Sequence, residues 1–358
     1  MRMLSISSFS LALACAALPV SPAWAAPSLE AYSLTAAGIS RLGAAGPPFS
    51  CATFGPDPRT AYFLGNMQIS LPTDGAVCGV AADSRSATAA SGVVTVAATL
   101  AVGFGPPGDL RAFTGQAVGR AGYADLGVRA AASYNGAVDS FTVDGSQAFG
   151  LQTETMNFGG ASGAAVFRPT FTVDGSLFNV GRTDSELGFF YSVGNGPHFL
   201  AFRIQNSRGA ITYYTPGGYV AALPGMTLSG GLVSGLTVSG STTFSIDLPI
   251  IFGSALEVTY GLWGASLPSS SVGLLTASAG DVSFVSSARM TAIEVLGPSG
   301  QPLPTFTVNS GSGTGYGPTG VLPVVPEPSS ALLLLLGLAP LLVRRLRRST
   351  RSVSSAWP

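Results

Sequence analysis

Few residues of this chain have the types and spacing that catalysis needs. It contains one histidine, His198, and no lysine, so sites that require two imidazoles or a lysine amine are excluded. The carboxylates Asp184 and Glu186 lie two positions apart, which would place both on one face of a β-strand. That spacing suits calcium binding or a glycosidase-like acid pair, whereas the nearby Arg182 favours a solvated ion pair. We expect no catalytic site and no metal, and a glycoside hydrolase is the enzymatic alternative.

The sequence contains no complete motif for a catalytic serine nucleophile or for nucleotide binding. The run Gly160–Ala164 resembles a nucleophile elbow but lacks its final glycine and precedes a predicted strand. The glycine-rich run Gly313–Gly320 follows no strand-to-helix unit, so it is interpreted as linker. His198 stands beside Phe199, which favours a packed or surface loop residue over a member of a Ser/His/Asp triad. No cofactor is expected.

Two cysteines, Cys51 and Cys78, would remain in an exported form of the chain. In an oxidising compartment such a pair is best interpreted as one disulfide. Closing a loop of this size would stabilise the fold by about 3 kcal/mol. The alternative is a catalytic cysteine paired with His198, which would need a reduced thiol in that compartment.

Aromatic rings that could stack on a sugar are sparse. Trp24 and Trp357 lie in terminal segments that we expect to be removed, which leaves Trp263 in the body of the chain. Trp263 and Tyr260 are the candidate ligand-binding pair, but three positions apart in a strand they would face opposite sides. Trp263 is therefore favoured as a core residue. A wider platform would add Tyr213, Tyr214 and Tyr219.

The body, residues 26–309, has the pattern of an all-β protein. Apolar and polar residues alternate in segments such as Val93–Val96, Phe171–Val173 and Thr243–Ile246. Turn dipeptides of the Asp-Gly type separate such segments, as at 144–145 and 174–175. Short strands with frequent turns predict a sandwich or jelly-roll-like fold.

The first 25 residues have the three parts of a secretory signal peptide. A positive start with Arg2 precedes the apolar stretch Leu11–Val20, which is too short to cross a membrane as a helix. Small residues, Ala23 and Ala25, precede a cleavage point before Ala26. We therefore expect export through the Sec translocon and removal of residues 1–25 by signal peptidase.

The C-terminus has a second three-part pattern, preceded by a Gly/Ser/Pro-rich linker at 310–325. A proline–glutamate–proline element precedes an apolar helix, 331–343, that is short for a permanent membrane span. An arginine cluster closes the helix and would lie in the cytoplasm. Residues 349–358 form a tail. The sorting residues are Pro326, Glu327, Pro328, Arg344, Arg345, Arg347 and Arg348.

This tail resembles the PEP-CTERM protein-sorting signal of exopolysaccharide-producing Gram-negative bacteria. The match covers residues 326–348, and three degenerate stretches of the body also resemble such proteins: Tyr123–Gly127, Ile250–Gly253 and Ala288–Leu296. The resemblance implies that Pro326, Glu327 and Pro328 are recognised by an exosortase, a membrane transpeptidase-like enzyme. It also implies a β-sandwich body without an assigned activity.

These features predict an exported, non-catalytic surface or extracellular-matrix protein. Before exosortase processing, the C-terminal helix would anchor it in the inner membrane; afterwards it would be at the cell surface or outside the cell. A carbohydrate-binding module for exopolysaccharide is the alternative. Residues 26–325 hold 11 arginines and 16 carboxylates, and this acidic balance disfavours nucleic acid as a partner.

Overall fold

The part of the chain that can be described consists of β-strands joined by turns. The structure is a computed structural model, and it describes residues 26–40, 50–53, 76–79, 81–104, 111–135, 142–181, 183–194, 196–207, 210–231, 235–268 and 277–321. The predicted all-β class is confirmed over these ranges. None of the described residues forms a helix able to cross a membrane. The predicted signal peptide, 1–25, and the sorting signal, 326–348, lie outside the described residues.

Strands are numbered in chain order. They are β1 (Ser28–Ser40), β2 (Ser50–Thr53), β3 (Ala76–Gly79), β4 (Ala81–Ala89), β5 (Val93–Phe104), β6 (Arg111–Gly122), β7 (Asp125–Asn135), β8 (Thr142–Gly159), β9 (Ala164–Val180), β10 (Thr183–Val193), β11 (Phe199–Ser207), β12 (Ala210–Thr215), β13 (Gly218–Val220), β14 (Met226–Gly231), β15 (Gly235–Ser245), β16 (Leu248–Ile251), β17 (Ala255–Pro268), β18 (Ser278–Leu296), β19 (Thr307–Ser310), β20 (Tyr316–Gly317) and β21 (Gly320–Val321).

Two antiparallel sheets contain most of the described strands. The nine-stranded sheet runs β13-β12-β11-β10-β17-β8-β1-β4, with β19 paired to β8. The eight-stranded sheet runs β14-β15-β9-β18-β7-β6-β5, with β16 paired to β9. Two short pairs, β2–β3 and β20–β21, form separate two-stranded sheets. Many neighbours in the sheets are distant in sequence, so the fold depends on long-range register.

The two sheets pack face to face through alternating apolar side chains. Phe171 of the eight-stranded sheet lies 4.9 Å, between ring centroids, from both Phe189 and Tyr260 of the nine-stranded sheet. Phe244 meets Phe202 across the same interface at 5.2 Å. Burying each of these rings stabilises the fold by roughly 2 to 3 kcal/mol. Strand alternation sends their sequence neighbours to the outer faces.

Glycines let the two backbones approach closely near the middle of the sandwich. A Cβ placed on Gly150 would overlap the carbonyl oxygen of Arg120, in the opposite sheet. A Cβ on Gly119 would overlap the carbonyl oxygens of Phe149 and Tyr32 in the same way. Hydrogen is therefore the only side chain that fits at these two points without moving a sheet.

The segment predicted as a linker is partly integrated into the sandwich. Residues 310–321 of that segment are described, and they form the end of β19 and the β20–β21 pair. Tyr316 is buried, and the backbone of Gly320 lies against Met290 of β18. Gly313 and Gly320 have φ of +77° and +87°. The two glycines thus supply the left-handed backbone that these turns require. From composition alone, the same glycines are typical of a flexible linker.

The two cysteines are direct neighbours in a β-ladder. Cys51 of β2 is the register partner of Cys78 of β3. Directly opposite residues in an antiparallel pair have Cα atoms about 4.5 to 5.5 Å apart, within the range that a disulfide spans. This register is compatible with the disulfide expected from sequence, which stays a prediction.

Candidate functional site

The candidate site lies on one row of register partners that runs across the strands on the outer face of the nine-stranded sheet. We call it the outer row, and it consists of Tyr32, Phe149, Trp263, Gly188, Arg203, Tyr214 and Tyr219. Each residue is the register partner of the next, on strands β1, β8, β17, β10, β11, β12 and β13. Adjacent strands lie about 4.8 Å apart, so neighbouring side chains in the row are within contact range.

The centre of the outer row is packed by an indole ring. Trp263 is 2% exposed, and a Cβ on Gly188 would overlap its six-membered ring. Phe190 flanks the indole at 6.1 Å between centroids. Tyr260, three residues earlier on β17, faces the opposite side and is fully buried in the core. Trp263 and Tyr260, the candidate ligand-binding pair from sequence, therefore do not form a sugar platform, because neither ring presents a face to solvent.

The edge of the outer row ends in an exposed aromatic stack. The rings of Tyr214 and Tyr219 are tilted by 47° with their centroids 4.2 Å apart, and their hydroxyl oxygens are 3.0 Å apart. The guanidinium carbon of Arg203 lies 4.0 Å from the Tyr214 ring centroid, a cation–π geometry. Tyr219 is 73% exposed. Two of the tyrosines considered from sequence thus form a surface stack, whereas Tyr213 turns into the core.

A buried carboxylate lies beside this stack. Glu186 is 2% exposed, and its Oε1 lies 3.8 Å from Nη1 of Arg203. The indole of Trp263 donates a hydrogen bond to the carboxylate, whereas Oε2 has no hydrogen-bond partner among the described residues. Burial raises the pKa of Glu186 to about 7, with Arg203 and Trp263 opposing the rise. Asp184 lies on the same outer face, two residues away, as its spacing predicts.

Electrostatics also distinguish the two stacked phenols. The hydrogen bond with Tyr219 lowers the pKa of Tyr214, and Arg203 acts in the same direction. The same hydrogen bond raises the pKa of Tyr219. Gln205, the register partner of Glu186, lies 3.5 Å from the Tyr214 hydroxyl. The edge of the sheet therefore presents phenol, amide and guanidinium groups around one aromatic face.

A second polar cluster, which sequence reasoning missed, lies inside the sandwich. Glu154 of β8 is fully buried and accepts hydrogen bonds from the Ser312 amide, the Ser312 hydroxyl and the Tyr316 hydroxyl. Burial, and then the Glu154 charge, raises the pKa of Tyr123 to about 12. The only available signal was a glutamate in the C-terminal half of a strand whose one other charged residue is Asp144. The cluster fastens residues 312–316 to the core, which is a structural role.

The remaining predicted residues are placed as follows. His198 packs edge-on against Phe190, with ring centroids 5.1 Å apart, as an aromatic loop contact. Within the described ranges, no group of three or more metal-ligating side chains is arranged around a common point. Ala26 is exposed at the start of the described chain. Ala23, Ala25 and all seven sorting residues lie outside the described residues.

Comparison with known proteins gives no relative on which to base an assignment. No family model, no curated protein and no solved structure matches the chain. The functional interpretation therefore depends on the residues and the geometry described above.

Proposed function

We propose that this chain is an exported, non-catalytic protein of the cell surface or extracellular matrix that binds carbohydrate through the exposed end of its outer row. Its body would be a jelly-roll-like sandwich between a signal peptide and a short C-terminal membrane helix. The terminal sequence patterns support the route: Sec export, then exosortase processing near Pro326–Pro328. The bound carbohydrate would be exopolysaccharide.

The observation that carries the binding proposal is the Tyr214–Tyr219 stack. The exposed ring of Tyr219 offers an apolar face against which the C–H face of a pyranose can pack. Tyr214 and Arg203 behind it are held by mutual contact, so little side-chain entropy is lost on binding. Phenol and guanidinium groups beside the ring can exchange hydrogen bonds with sugar hydroxyls.

The same geometry favours binding over hydrolysis. Glu186, whose pKa is raised, is 2% exposed and contacts Trp263 and Arg203. A substrate oxygen could reach the carboxyl group only if neighbouring side chains moved. A glycosidase needs its acid within hydrogen-bond distance of the scissile oxygen. The exposed surface offers a stacking platform and leaves this carboxyl group enclosed.

The binding proposal is tested with the full-length chain in detergent against purified bacterial exopolysaccharides, by titration calorimetry. We expect Tyr219→Ala to weaken binding at least tenfold. Phe199→Ala is the matched control, because Phe199 is an exposed aromatic residue of the same sheet that lies outside the outer row. Binding that Tyr219→Ala leaves unchanged, or the absence of binding by the wild-type chain, would refute the carbohydrate site.

A further inference from the structure

The outer face of the eight-stranded sheet contains a groove of about 430 Å³. It lies on the opposite side of the sandwich from the outer row. Six of the residues that line it have side chains on this outer face: Thr114, Gln116, Ala131, Ser133, Phe178 and Asp281. They come from β6, β7, β9 and β18, which are consecutive strands of the sheet. Its volume falls within the usual range of small-molecule sites.

Residue size along one register row explains the groove. Gln116, Ala131, Asp281 and Phe178 are successive register partners across the four strands. Gln116 and Phe178 are three strand spacings apart, roughly 14 Å, and the methyl group of Ala131 lies between them. In the next row, Ala279 is equally small. The groove is therefore a notch above Ala131 and Ala279, with Gln116 at one end and Asp281 and Phe178 at the other.

The polar groups of the groove are fixed before any ligand arrives. Nε and Nη2 of Arg129 donate to Oδ1 and Oδ2 of Asp281 at 3.2 and 2.9 Å. A carboxylate has about four acceptor positions, so each Asp281 oxygen keeps a second lone pair for a ligand. The hydroxyl oxygens of Thr114 and Ser133 are 2.6 Å apart on the opposite side of the floor. These hydroxyls and the Gln116 amide can both donate and accept.

We infer that this groove binds a neutral saccharide. Phe178 supplies an aromatic wall, Asp281 a paired acceptor for neighbouring hydroxyls, and the other polar groups a mixed donor and acceptor surface. An anionic ligand would meet the carboxylate of Asp281, which among the described residues is paired with Arg129. A metal cation would find one carboxylate already bound to a guanidinium. The ligand class that remains is a neutral ring with several hydroxyl groups.

This site is independent of the one proposed at Tyr214–Tyr219. The two lie on opposite outer faces of one sandwich, so one protein could hold two saccharide chains at once. Two sites on one rigid body convert weak contacts into cross-links between polymers. The groove thus adds a cross-linking activity to the proposed binding function.

The test uses the full-length chain in detergent and neutral gluco-, galacto- and manno-oligosaccharides of two to six units. Calorimetry measures affinity and stoichiometry. Ala131→Met fills the groove floor and leaves every polar group in place. Ala97→Met is the matched control, because Ala97 is an exposed alanine on the same face, outside the groove. Gln116→Ala removes the amide wall without filling the space.

We expect two sites per wild-type chain. Ala131→Met and Gln116→Ala should each weaken one of them at least tenfold, and Tyr219→Ala should weaken the other. Ala97→Met should change neither. A wild-type stoichiometry of one, abolished by Tyr219→Ala and insensitive to Ala131→Met, would overturn the groove site and leave the proposed function standing. A stoichiometry of one that is sensitive only to Ala131→Met would support the groove and refute the tyrosine site. Equal weakening by Ala97→Met and Ala131→Met would also overturn the groove site.

Discussion

Gly188 and Trp263 are register partners on β10 and β17, and the indole ring occupies the space that a side chain at 188 would take. The absence of a Cβ lets the six-membered ring of Trp263 lie against Gly188, while the indole also contacts Phe190 and hydrogen-bonds Glu186. The buried tryptophan and the buried carboxylate therefore depend on one glycine. The exposed tyrosine stack is attached to the same row through Arg203.

Gly188→Ala is expected to destabilise the fold by about 1 to 3 kcal/mol, because the methyl group must displace a packed indole ring. Urea unfolding measures the loss, and the Trp263 fluorescence should shift to longer wavelength as the ring becomes hydrated. Gly217→Ala is the control, since a Cβ at Gly217 has its nearest neighbour at 3.8 Å. Equal stability of the two variants would contradict the packing.

The Glu186 carboxyl group should make stability depend on pH. Its pKa in the folded state is about 7, above the ordinary value of 4.5, so the folded chain holds this proton more tightly than the unfolded chain. The resulting stabilisation is fully present below pH 4.5 and is lost as the pH rises through 7. The total change is about 3 kcal/mol.

Glu186→Gln should remove most of this dependence while keeping an acceptor for the Trp263 indole. Urea unfolding at pH 5 and pH 8 gives the comparison, with Glu294→Gln, an exposed carboxylate of β18, as control. If stability fell between pH 5 and pH 8 by the same amount in the wild type and in Glu186→Gln, this carboxyl group would not be the cause.

Residues 312–316 should detach when the Glu154 charge is removed. Glu154→Gln weakens three hydrogen bonds to an ionised acceptor, each worth roughly 1.5 to 3 kcal/mol. The expected result is faster chymotrypsin cleavage after Tyr316 and faster amide exchange at Ser312. Glu294→Gln serves again as a control of equal charge. Unchanged protection at Tyr316 would mean that packing alone holds this segment.

Sequence patterns predict the all-β class, but neither the strand ends nor the strand partners. The Asp-Gly dipeptides at 144–145 and 174–175, predicted as turns, lie within β8 and β9. The alternation at Phe171–Val173 identifies a strand, and the spacing of Tyr260 and Trp263 correctly places them on opposite faces. The outer row could not be predicted, because Trp263 and Tyr32 belong to one lateral row although they are far apart in sequence. Lateral register follows from the packing of both sheets together, and a single sequence does not encode it locally.

The linker shows a different limit of composition. The sequence predicts a flexible tether at Gly313 and Gly320, whereas each supplies a positive φ, Gly320 at a buried position against β18 and Gly313 at an exposed one. A glycine required by geometry and a glycine in a loose tether look the same in sequence. What separates this segment from a loose tether is Glu154, which accepts hydrogen bonds from Ser312 and Tyr316 although it lies about 160 positions earlier in the chain.

The disulfide between Cys51 and Cys78 is expected to form after export. A thiol titration of the native, exported protein should find no free sulfhydryl, and Cys51→Ser should lower the free energy of unfolding by about 3 kcal/mol. Cys78→Ser should have the same effect, and the double variant should be no worse than either single one. Additive losses, or two titratable thiols, would argue against the bond.

The sorting proposal is tested at the Pro-Glu-Pro element. In a Gram-negative host that carries an exosortase, the double variant Pro326→Ala, Glu327→Ala should remain in the inner-membrane fraction at its unprocessed mass, because the recognition element is gone. Intact mass spectrometry and fractionation measure both outcomes. The control is Pro304→Ala with Glu294→Ala, the same residue types changed on the exposed surface of the body. If the double variant reached the wild-type location with the wild-type mass, the Pro-Glu-Pro element would have no part in sorting, and the apolar helix with its arginines would have to act alone.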